Sequence, residues 1–203
     1  MQDLVDEDAV LSSLMEKKEV PSWYWDRDRV TLREVLECVR TELRTEKRNK
    51  TEISHILAQG FIMTLEREGA TVLEVRKGIA NYFCIKVDGK SIGVSPFVSH
   101  DEWWEKPSEG FRQMVKERSC EWGVVLFLLD KRKEEWEGFW IEGKDFDEVV
   151  LKKRQTANSD NVRRAIRKGL ARQFSDETEF LRLLKTPVRR AGTLFRIPRP
   201  SKK

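Results

Sequence analysis

The chain has 203 residues, 39 Lys or Arg against 35 Asp or Glu, a formal net charge of +4 and 39% hydrophobic residues. That length suits one domain with decorated ends. No apolar run approaches the roughly 18 residues a membrane span needs, the acidic N-terminus lacks the apolar stretch of a secretory signal, and 11 Gly with 6 Pro are too few for a low-complexity chain.

Residues 1–20 hold six acids and two lysines, an acidic head of net −4. Within it, Leu4, Val5, Leu11, Leu14 and Met15 form a short amphipathic segment. Pro21 breaks the pattern and Trp23, Tyr24 and Trp25 follow together, an aromatic group suited to docking or to an interface. Thr31 caps a helix carrying Leu32, Val35, Leu36, Val39 and Leu43 at helical spacing. Thr51 opens a second, with Ile53, Ile56, Leu57, Phe61, Ile62 and Leu65 inward and Gly69 as its stop.

The period then changes to two. Residues 70–77, 80–87 and 90–98 read as strands, with Asp88-Gly89 as a hairpin turn and an end near Pro96. Residues 99–110 read as a loop carrying Trp103 and Trp104 beside His100 and Asp101, a stacking platform or a protein contact. A helix is predicted over 107–118. Residues 120–130 hold the apolar run of a strand buried on both faces, 139–143 a further strand, and 145–153 one more helix.

The tail differs in style. Residues 151–203 hold sixteen Lys or Arg and four acids, net +12, while 21–150 hold 21 basic and 25 acidic residues. A helix over 161–173 would show an almost wholly basic polar side, followed by a second helix capped at Ser175. Its Arg163, Arg164, Arg167, Lys168 and Arg172, with Lys152, Lys153 and Arg154 before it and Arg189 and Arg190 after, suit a phosphate backbone. The domain organisation expected is a helical extension over 1–49, an α/β core over 50–150 and a basic arm over 151–203.

Cys38, Cys84 and Cys120 form no CxxC pair, which reads as buried thiols in a reducing, cytoplasmic setting. His55 and His100 are isolated, so no zinc spacing exists. No motif proposes a metal, a cofactor or a covalent nucleophile.

Residues 50–145, and above all Ala80 to Phe97, resemble the PD-(D/E)xK superfamily, the restriction-endonuclease-like fold. The resemblance implies a mixed sheet in the order α-β-β-β-α-β-β. In that family an acid opens the second strand, and the third carries an acid, one residue, then lysine. Residues i and i+2 of a strand share a face, so the acid can ligate a divalent metal beside the lysine. Here those positions hold Asn81, Ser95 and Phe97. The resemblance thus implies the fold without the reaction.

The expected function is a catalytically inactive, nucleic-acid-binding or scaffolding subunit of a DNA- or RNA-processing complex, with protein partners and no membrane. Two alternatives stay open. One is a metal-dependent endonuclease whose carboxylates have migrated to Glu66, Glu74 or Asp88, with Lys90 nearby. The other is a protein–protein adaptor.

Overall fold

Thr31 closes a reciprocal cap on the first described helix. Its backbone N–H and hydroxyl donate to the Glu34 carboxylate at 2.7 and 2.8 Å, and the Glu34 N–H donates back to the hydroxyl oxygen. The structure, a computed structural model, describes residues 29–45, 50–75, 81–98, 103–105, 107–130, 135–151, 156–158 and 164–186. Helix α1, Leu32–Thr45, buries Leu32, Val35, Leu36 and Val39. Helix α2, Lys50–Arg67, buries the expected stripe from Ile53 to Leu65. It ends at Gly69, whose φ of 89° lets Ala70 N–H reach the Leu65 carbonyl at 2.9 Å.

Strands β1 (Thr71–Val75), β2 (Phe83–Val87) and β3 (Lys90–Val98) form an antiparallel meander. Asp88 and Gly89 turn the hairpin with φ of 48° and 81°, the left-handed pair that a two-residue turn requires. Strand β4, Trp103–Glu105, precedes helix α3, Glu109–Glu117, which is capped by Ser108. Helix α3 crosses over the sheet, and β5 (Glu121–Asp130) returns parallel to β3. Strand β6 (Glu135–Glu142) pairs antiparallel with β5. A short helix α4, Gly143–Asp145, passes into a π-helical turn over Phe146–Leu151. Strand β7 (Thr156–Asn158) pairs with β4 in a separate two-stranded sheet. A helical turn at 164–167 leads to β8 (Ala171–Phe174), and α5 (Glu177–Lys185) closes the described chain.

The result is a mixed α/β fold with a six-stranded sheet in the order β1-β2-β3-β5-β6-β8. One face carries Phe83, Ile85, Val94, Val125, Phe127, Trp140 and Phe174 beneath α1, α2 and α5. Phe61 sits at its centre, its ring 5.5 Å from Phe127 and 5.1 Å from Phe180. The other face carries Val124, Leu126, Phe139 and Ile141 against Phe146, Val150 and Ala165, and Tyr82 and Cys84 against Phe111 and Met114 of α3. Val124 to Phe127 are all 0% exposed, so β5 is buried on both sides, as its apolar run predicts.

Several expectations differ from the structure. Strand β3 spans the expected 90–98, with Pro96 inside it in register with Val125 rather than at its end. Residues 103–105 are a strand rather than loop. Strand β6 starts at Glu135, because its partner β5 extends to Asp130 and pairs with it there. The helix expected over 161–173 stops at 167. Gly169, with φ of 67°, turns the chain, and Ala171–Phe174 adds the outermost strand to the sheet. Phe174, Phe180 and Leu181 then join the core, so residues 171–186 pack with the body. No described helix is long and apolar enough to cross a membrane.

Candidate functional site

The β2–β3 ladder runs from Val87 opposite Lys90, beside the turn, to Phe83 opposite Val94. Asn81 and Ser95 lie just beyond its far end. Asn81 precedes β2 and is half-buried. Tyr82 follows it, 5% exposed, with its ring 5.5 Å from Phe111. Ser95 is 1% exposed. Phe97 packs against the cluster of Val124, Leu126, Phe139 and Phe146. The strand that would carry an acid and a lysine is thus embedded in apolar side chains. A divalent cation needs oxygen ligands and negative charge, and the positions Asn81, Ser95 and Phe97 supply one amide and one hydroxyl.

The alternative acids are spread over the fold. Glu66 is exposed in the last turn of α2. Glu74 lies on β1 opposite Cys84. Asp88 sits in the hairpin turn, 3.6 Å from Lys185 Nζ, and Lys90 Nζ lies 3.9 Å from Glu121. The turn and Ser95 are at opposite ends of the ladder. Among the described residues no group of three or more His, Cys, Asp or Glu is placed to hold a metal ion.

Of the expected basic residues, Arg164, Arg167, Lys168 and Arg172 fall within the described chain. The turn carrying the first three is docked on the sheet. Ala165 is 0% exposed in the second face's cluster, with Ile166 and Leu170 packed beside it. Gly169 N–H donates to the Ile166 carbonyl at 2.9 Å and Leu170 N–H to the Ala165 carbonyl at 3.0 Å, closing the turn. Arg167 and Lys168 are exposed, and Arg164 is half-buried. Arg172 goes elsewhere. Its Nη1 donates to the carbonyls of Leu183 and Thr186, both at 2.7 Å, and Nη2 lies 3.8 Å from Glu142. Burial pushes its guanidinium down from the ordinary arginine value, and Glu142 opposes that. Arg172 therefore fastens the end of α5 to β8.

A constellation that sequence reading missed joins α3 to the π-helical turn. Arg112 donates from Nη1 and Nη2 to the two Asp147 oxygens at 2.7 and 2.6 Å. Its guanidinium also lies 4.4 Å from the centroid of Trp122. The hydrogen bonds to Asp147 push its pKa up, against burial. A Cβ at Gly143 would come within 2.1 Å of the same indole, so only glycine lets α4 begin there. Both carboxylate oxygens are engaged, so the arrangement fixes geometry. No sequence signal pairs residues 112 and 147, because their meeting depends on the crossover.

Trp103 and Trp104 lie on β4 in register with Asn158 and Ala157. Trp23, Tyr24, Trp25, His100, Asp101, Lys152, Lys153, Arg154, Arg163, Arg189 and Arg190 lie outside the described residues. No protein-family model, curated protein or solved structure matches the chain.

Proposed function

We propose that the chain is a nucleic-acid-binding subunit of a processing complex, built on a restriction-endonuclease-like core that does not cut. The observation that carries the non-cutting half is the burial of Ser95 and the packing of Phe97, on the strand where the resemblance puts the catalytic acid and lysine. The order of meander, crossover helix and parallel strand supports the core assignment. The net charge of +12 over residues 151–203 supports an anionic partner. In this reading the sheet and its helices are a docking body, and the aromatic residues Trp23, Trp25, Trp103 and Trp104 meet protein partners inside the cell.

Binding of fluorescent DNA and RNA by the full chain, followed over a series of KCl concentrations, tests the reading. Strong salt dependence is the expected result. A chain ending at Thr186 keeps the strand and helix that complete the core, so it separates the contribution of residues 187–203. Absence of salt-dependent binding to either polymer would favour the protein–protein adaptor.

A further inference from the structure

We infer that the docked turn at 164–168 is where the phosphodiester backbone binds, with Arg164, Arg167 and Lys168 each facing one phosphate. This rests on the nucleic-acid reading above and specifies its contact. The first support is electrostatic. The β6–β8 register pairs Ile141 with Ala171, so Glu142, Gly143 and Lys144 leave the sheet at the end where Lys168, Gly169 and Leu170 enter it. Of the carboxylates around that end, Glu142 faces Arg172 at 3.8 Å, Glu148 faces Lys144 at 4.0 Å, Asp147 is held by Arg112, and Asp145 is buried. Arg164, Arg167 and Lys168 have no side-chain ion pair or hydrogen bond among the described residues. Their charge is left for an anion from outside.

The second support is rigidity. Ala165, Ile166 and Leu170 pin the turn to the sheet, and two backbone hydrogen bonds close it at Gly169. A cation on a fixed backbone loses less freedom on binding than one on an extended tail. Two of the three are arginines, whose forks match phosphate oxygens. Arg172 is excluded, since Leu183, Thr186 and Glu142 occupy its guanidinium. The contact is to backbone alone, so DNA and RNA share the chemistry.

Salt titration of full-length R164Q/R167Q/K168Q tests this by fluorescence anisotropy, with duplex DNA, duplex RNA and single-stranded DNA as separate arms. Each lost phosphate contact lowers the slope of log affinity against log salt by about 0.9 on duplex DNA and about 0.7 on single strands. The triple variant should therefore lose about 2 to 3 units of slope on duplex. R33Q/K116Q/R182Q removes the same charge from other exposed positions and should lose less than about 1 unit. If the parent binds and the triple variant keeps its slope, the turn is not the site, while the nucleic-acid reading survives. Equal losses in both variants would reduce the effect to overall charge and overturn the assignment. A parent that binds none of the three polymers overturns the reading and this inference together. Should the triple variant fail to fold, R167Q/K168Q alters only exposed side chains and should lose about 1 to 2 units.

Discussion

Arg67 and Glu177 form an ion pair across 110 residues of sequence, Nη2 to Oε1, with the Glu177 side chain only 6% exposed. Arg67 ends α2 and Glu177 begins α5. The second Glu177 oxygen accepts the Leu32 N–H at 3.3 Å, and Arg67 also donates to the carbonyls of Arg29 and Val30. One pair thus holds the entry to α1, the end of α2 and the start of α5. Removing one partner of such a pair strands a buried charge. Arg67→Ala is expected to cost about 2–4 kcal/mol in urea unfolding at unchanged m value. Glu177→Gln keeps an oxygen for Leu32 and is expected to cost less than Glu177→Ala.

The cap at Thr31 carries a pH signature. The Thr31 N–H, then its hydroxyl, hold the Glu34 carboxyl below the ordinary glutamate value. A lowered folded-state pKa contributes stability that is complete above the unfolded value, about 4.3, and is lost as pH falls through the folded value. Thermal melts of the parent and Glu34→Gln should differ near neutral pH and converge in acid. Thr31→Ala should cost about 1 kcal/mol at neutral pH.

Ser95 separates a sealed strand from an open metal cleft. If it is sealed, Ser95→Asp buries a carboxylate with no cation beside it. The group would enter largely neutral, with a raised pKa, and stability at pH 7 should fall by about 3 kcal/mol or more. The deficit should shrink as pH falls, because the unfolded carboxyl then needs no proton transfer to match the buried form. Added Mn²⁺ should leave the melting temperature unchanged. A tolerated Ser95→Asp stabilised by Mn²⁺ would indicate a usable metal site.

The features legible in the sequence were the local ones. Thr31, Gly69 and Asp88-Gly89 mark backbone conformations that depend on a few neighbouring residues. The run Val124 to Phe127 announced a strand buried on both sides for the same reason. Strand β8 was not legible. Its four residues follow Val162, Ala165, Ile166 and Leu170, whose helical spacing continues past the turn, and only pairing with Gly138 to Ile141 makes it a strand. Arg172 looked like its basic neighbours for that reason, yet the pairing aims it at α5. The positions Asn81, Ser95 and Phe97 could be named from the hairpin, but the apolar side chains around Phe97 come from β5, β6 and the π-helical turn, and those around Tyr82 from α3, all outside the hairpin.

The central claim is binding without cutting. The most direct measurement incubates the full chain with labelled duplex, branched and single-stranded nucleic acids plus Mg²⁺ or Mn²⁺, and reads binding and strand integrity in the same samples. Salt-sensitive complexes and intact strands under every metal condition are the expected result. Metal-dependent cleavage that disappears in Glu66→Gln or Glu74→Gln would contradict it.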